Sequence, residues 1–210
     1  MARIKIGNVR QPIEDLKQFF APAGYGLGVK NGHDCTDCNE AILNGAYYVF
    51  GESAVNHPGH SMQYGCLFVY RRGSYITQVI HYDYYEAKRY SNDGGDTWGA
   101  WEWVNPPMQV GIEYRTTERW QGKPVYAKLI SFKLSGSTSS NFTVPHGVTG
   151  LKSLVRQTAT LQSKFPLPYI HNGNTTWVSE VNDTNIVVGN TGQAWDTSYT
   201  WVFEIYYTKE

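Results

Sequence analysis

The chain has 210 residues, with 18 Lys+Arg against 18 Asp+Glu and only 17% of residues charged, which excludes a disordered tail and a polybasic nucleic-acid binder. Split near Asn105, the first part holds 9 basic and 11 acidic residues and the second 9 and 7, so neither half attracts phosphate or a membrane surface by charge. Aromatic residues reach 15%, led by 16 Tyr and 7 Trp beside 21 Gly, a supply of half-buried strand residues and tight turns that points to two small, mostly β domains.

Residues 1–32 read as an N-terminal lead and linker. Met1-Ala-Arg-Ile-Lys-Ile6 lacks the apolar core of a secretion signal, and no window nears the roughly 18 apolar residues of a membrane span, so a soluble protein made in a cytosol is expected, without membrane insertion. Pro12 suits a first helical position, and Ile13, Leu16, Phe19 and Phe20 are spaced for one apolar face, which predicts a short helix over 12–20. A helix that short is marginal in water and needs another chain or domain to lean on. The Gly/Pro/Ala run over 21–28 is a connector.

Strands and turns dominate from Cys38 to Val104. Ala46–Phe50 follows the turn dipeptide Asn44-Gly45, and Cys66–Tyr70 and Ser74–Tyr82 flank Arg71-Arg72-Gly73, read as a three-residue hairpin loop. A short strand is expected over Glu86–Tyr90, and a half-buried one over Trp101–Val104, with Trp101 and Trp103 on one face and Glu102 on the other. Asn105-Pro106-Pro107 ends the pairing, because proline cannot donate to a ladder. This sets a small antiparallel domain over 33–107 and a second domain over 108–210.

In the second domain, Gly111–Trp120 and Pro124–Lys133 are joined by the hairpin signal Gln121-Gly122-Lys123. Short strands recur at Asn141–Val144, Leu151–Leu161, Thr175–Val181, Thr184–Val188 and Tyr199–Tyr207. Trp201, Phe203, Ile205 and Tyr207 share one face of the last. Short strands with turn chemistry between them over about a hundred residues are the pattern of a β-sandwich.

Several constellations carry possible chemistry. Ser91-x-Asp93-x-Gly95-x-Thr97-Trp98 matches the Asp-box turn of sialidase-type propellers, in which short polar side chains bond the turn backbone and the Trp packs beneath it. A single copy points to a folding turn rather than a sialidase site. Cys35-Thr-Asp-Cys38, with His33, His57, His60 and Cys66, supplies nitrogen and sulfur donors without the paired spacing of a zinc site, so free thiols and no metal are expected. Asp83, Glu86, Asp93 and Asp96 sit in turn or edge contexts rather than facing each other as a hydrolytic pair. No nucleophile elbow, HExxH, P-loop or dinucleotide fingerprint occurs, so neither a catalytic set nor a cofactor is expected.

The loops around Tyr169, His171, Trp195 and Asp196 combine flat aromatics with short polar groups. They suit sugar rings, which offer an apolar face to stack and hydroxyls to bond, and equally the covering of a domain end or a subunit contact. As a glycan site they could recruit Arg115 and Arg119 if the sugar were anionic. Tyr82, Tyr84 and Tyr85 are the second choice.

Three blocks, Cys38–Val49, Leu67–Gln78 and Arg89–Trp101, resemble in order the pyocin-knob module of phage tail fibres and tail-like bacteriocins, over about 33–104. That pattern has an apolar residue near Cys38, so this cysteine reads as a core substitution. The lead with Ala21–Gly28, and Gly111–Tyr126 after the knob, resemble tail-fibre and baseplate proteins of phages and prophages. The resemblance implies a receptor-binding homotrimer on the virion, made in the host cytoplasm and touching other tail or baseplate proteins. Its β-sandwich tip would hold host cell-surface polysaccharide by multivalent adhesion, with no nucleic acid involved. A glycan depolymerase and a purely structural fibre segment are the alternatives.

Overall fold

The computed structural model describes residues 3–6, 9–12, 33–59, 64–133, 141–161, 165–171, 175–190 and 199–210, and for 3–6, 9–12, 33, 52, 169–171, 175–177 and 190 the backbone alone. The described residues are predominantly strand, and the chain divides into two compact units, Met1–Pro106 and Pro107–Glu210. Among the described residues no helix is long and apolar enough to cross a membrane.

At the N-terminus, Arg3–Ile6 (β1) and Val9–Pro12 (β2) pair antiparallel, with Arg3 opposite Pro12 and Ile6 opposite Val9. The helix expected to begin at Pro12 is corrected at that residue. Pro12 closes a strand, a place where the missing N–H costs no ladder bond. Ile13, Leu16, Phe19 and Phe20 lie outside the described residues.

The rest of the first unit consists of His33–Cys35 (β3), Gly45–Phe50 (β4), Tyr64–Arg72 (β5), Tyr75–Tyr82 (β6), Tyr85–Ser91 (β7) and Glu102–Trp103 (β8). They lie side by side in sequence order, all antiparallel except β3, which runs parallel to β4. Alternation sets one face inward: Leu67 and Val69 of β5, Ile76, Gln78, Ile80 and Tyr82 of β6, and Ala87, Arg89 and Ser91 of β7 are buried. On the opposite phase Tyr64, Tyr70, Tyr75 and Tyr90 are exposed. Arg72 pairs with Tyr75, so the hairpin loop is the two residues Gly73-Ser74 rather than the three expected. Glu102 and Trp103 are both buried, against the expected alternation, because a strand of two residues has no period to keep.

The second unit builds one sheet from Glu113–Trp120 (β9), Lys123–Lys133 (β10), Leu151–Leu161 (β12), Phe165–Pro166 (β13) and Thr200–Lys209 (β17), in the order β13-β12-β17-β10-β9. Its other, four-stranded sheet is Phe142–Pro145 (β11), Asn185–Asn190 (β16), Thr175–Val181 (β15) and Tyr169–His171 (β14), in the order β11-β16-β15-β14. The β9–β10 loop is Gln121-Gly122, with φ of +49° and +78°. Two successive positive φ values define the turn whose twist matches a hairpin, and Gly122 adopts its conformation without penalty. The expected inward face of the last strand is present: Trp201, Phe203, Ile205 and Tyr207 are at most 1% exposed. They join Ile130 and Leu161 of the first sheet and Ile186 and Val188 of the second in one apolar cluster, where Phe132 stacks on Phe203 at 5.7 Å. Each large side chain buried there contributes about 1.5–3 kcal/mol.

Candidate functional site

The inward face of the first unit carries the long polar side chains of Gln78 and Arg89 among its apolar ones. Gln78 on β6 and Arg89 on β7 are direct cross-strand partners. Gln78 is fully buried; its amide nitrogen donates to the carbonyls of Cys38 at 2.6 Å and Ala41 at 2.9 Å, and its amide oxygen accepts from Arg89 Nε at 2.7 Å. One glutamine thus ties the 38–41 loop to the sheet and orients the guanidinium. Burial pulls Arg89 down to about 10, which leaves it a cation at neutral pH.

The loop after β7 supplies the walls. Ser91 Oγ donates to Asp93 Oδ1 at 2.7 Å and accepts from the Gly95 amide at 3.0 Å, while Asp93 accepts from the Thr97 amide at 3.0 Å and from the Thr97 hydroxyl. These bonds hold the Asp93 carboxyl well below the usual carboxylate range, the Thr97 hydroxyl contributing most. Gly95 has φ of +106°, and a Cβ there would stand 2.8 Å from Ile42 Cγ2, so the turn presses onto the 38–43 loop as only glycine allows. The Asp-box is internally bonded, as a folding turn requires. Its exit brings Trp98 and Trp101 against Arg89, with ring centroids 4.3 and 4.5 Å from the guanidinium carbon.

A second set of bonds fixes the opposite rim. Asp37 Oδ1 accepts from the Asn39 amide and from Asn56 Nδ2, each at 2.8 Å, and Trp101 Nε1 donates to the Asn56 carbonyl at 2.8 Å. Between the rims lies a cleft of about 410 Å³ lined by Asn39, Asn56, His57, Arg89, Asp96, Trp98 and Trp101. Among the described residues, three buried polar atoms of this lining have no hydrogen-bond partner: Asn39 Oδ1, Arg89 Nη2 and Trp98 Nε1. A buried donor or acceptor left unmade costs roughly 1–3 kcal/mol. Flat rings beside two open donors and one open acceptor form a surface that a polyhydroxylated ligand satisfies.

The residues singled out from the sequence are placed as follows. Tyr169 and His171 lie on β14, opposite Trp177 and Thr175 of β15, and Trp195 and Asp196 lie outside the described residues. Arg119 Nη1 donates to the Glu118 carbonyl of its own strand at 3.0 Å. Tyr84 is 86% exposed, but Tyr82, read as exposed, is buried with its hydroxyl 3.4 Å from His57 Nδ1, because it stands on the inward phase of β6. The thiols of Cys35 and Cys38 are 3.9 Å apart and buried, with Cys38 fully enclosed, while Cys66 is exposed. Among the described residues no group of three or more His, Cys, Asp and Glu is placed to hold a metal. Arg89 escaped notice because it was read as one residue of a short strand, yet a signal was present. Period-2 reading aligns Arg89 with Ala87 and Ser91, and Gln78 with Ile76 and Ile80, so both polar side chains fall on core positions.

No protein-family model matches the chain, and no curated protein matches it. Among solved structures it is similar to the P. aeruginosa R1 pyocin fibre comprising C-terminal residues 323–701, at 10% identity and TM-score 0.33 over 94% of this chain and 70% of that one. The P. aeruginosa R2 pyocin fibre comprising C-terminal residues 323–691 gives 11% and 0.33 over the same shares. An N-truncated R2-type pyocin tail fibre gives 10% and 0.29 over 83% of this chain and 95% of that one. Scores this low do not establish a shared fold.

Proposed function

We propose that this chain is part of a phage or phage-like tail fibre or baseplate and that it binds host cell-surface glycan without cleaving it. The observation that carries the reading is the cleft around Arg89: two indole faces, a fixed cation and three unpartnered buried polar atoms, in a lining with no hydrolytic pair of carboxylates. The blocks Cys38–Val49, Leu67–Gln78 and Arg89–Trp101, which resemble a pyocin knob, support the fibre setting. In this reading the chain is a homotrimer on the virion, contacts other tail or baseplate proteins, and ends in a sandwich tip whose loops at Tyr169, His171, Trp195 and Asp196 offer a second glycan contact. Repeating a weak sugar contact on one rigid body raises effective concentration and increases avidity by about 10²–10⁴ over a single site.

The test is binding of the purified chain to host cells and to extracted wall polysaccharide, with reducing-end release measured in the same sample and mass by light scattering. Binding by a trimer, without release, is expected. Release of reducing ends would make the chain a depolymerase, and absence of binding would leave an architectural segment.

A further inference from the structure

We infer that the Arg89 cleft selects a charged glycan, taking its acidic group, a sugar carboxylate or a phosphodiester, on the stacked pair of Arg89 and Trp98. This inference rests on the glycan-binding reading and specifies the ligand class. The cleft holds a buried charge. Arg89 is 6% exposed, and its Nε is bonded to the neutral amide of Gln78. Among the described residues no carboxylate pairs with it. The Asp37 charge favours the charged guanidinium, but its Oδ1 accepts from Asn39 and Asn56 rather than from Arg89, and the Asp93 carboxylate accepts from Ser91 and Thr97. Asp96 stands exposed at the rim. A guanidinium removed from water without a hydrogen-bonded counter-ion is costly, and two indole faces offset that cost without satisfying its donors.

The two buried, unpaired donors belong to one stacked unit, since the guanidinium of Arg89 lies 4.3 Å above the Trp98 ring and, among the described residues, both Arg89 Nη2 and Trp98 Nε1 lack partners. An anionic oxygen pair accepts from both, and the bond from the guanidinium is charge-assisted, roughly twice as strong as one to a neutral hydroxyl. A neutral sugar also fills the donors but leaves the cation uncompensated. The remaining acceptor, Asn39 Oδ1, and the Asp96 carboxylate suit hydroxyls of the same ring, and Trp101 offers its face. The cleft therefore favours a unit that is both acidic and hydroxylated, as the sugar of a uronate polymer and the polyol phosphate of a glycerol-phosphate wall polymer are.

The experiment titrates the full chain with three probes of equal length: a glucuronate-containing oligosaccharide, a glycerol-phosphate oligomer and a neutral glucan. The Trp98 indole N–H resonance is followed together with the heat of binding. Movement of that resonance with an acidic probe, at least tenfold tighter than with the glucan, is expected. The uronate and glycerol-phosphate arms decide which acid is the source. Trp98→Phe, which keeps the ring and removes the donor, should weaken the acidic probe about tenfold and leave the melting temperature close to the parent value. Equal affinity for the glucan would overturn the inference while preserving glycan binding. An unmoved Trp98 resonance would overturn it too, and binding to whole cells then judges the broader reading separately.

Discussion

Asp93 is held by the amide and hydroxyl of Thr97 and by Ser91, so the folded protein keeps this carboxylate ionised at a pH where the unfolded chain, with an ordinary value near 4, takes up a proton. A depressed folded value contributes stability that is complete above about pH 4 and is lost as the pH falls further. Urea denaturation between pH 6 and pH 2 should show the parent midpoint falling more steeply than that of Asp93→Asn, which starts lower at neutral pH because it accepts from Thr97 without a charge. Parallel curves would place the acid sensitivity elsewhere. This turn was legible in the sequence because its chemistry is local: each of its bonds spans four residues or fewer. What Trp98 does was not, since its partner Arg89 is brought to it by the sheet.

Between β6 and β7 the structural weight falls on Gln78. Its three bonds close the 38–41 carbonyls and Arg89 Nε together. Gln78→Leu keeps the volume but leaves these groups without partners inside the core, and should cost about 2–4 kcal/mol in chemical denaturation. A loss within about 0.5 kcal/mol would mean that water satisfies them. The elements themselves were largely readable: the ranges over 151–161 and 175–181 coincide with β12 and β15, where β-branched alternation and flanking turns act together. The short strands β1, β2, β3, β13 and β14 were missed. Two to four residues carry no periodicity, and β3 gains its pairing from β4, beyond an intervening loop, rather than from its own sequence.

Over the whole molecule, two β units divide a chain of zero net charge, so recognition depends on local features rather than on a global field. The loops chosen from sequence were aromatic and polar at a domain end; the cleft that the fold assembles draws Asn39, Asn56, Arg89 and Trp98 from four separate stretches, a convergence no linear spacing encodes. In the proposed reading the chain adheres to glycan through that cleft. The most direct test compares adhesion of the parent, Arg89→Lys, and the double variant Tyr169→Ala/Trp195→Ala to polysaccharide-coated surfaces, each first verified as folded by its melting curve. Arg89→Lys, which keeps the charge and loses the planar fork, should reduce adhesion at least tenfold, with a smaller loss for the double variant. Undiminished adhesion of Arg89→Lys, with loss confined to the double variant, would contradict it and place the receptor site on the second unit.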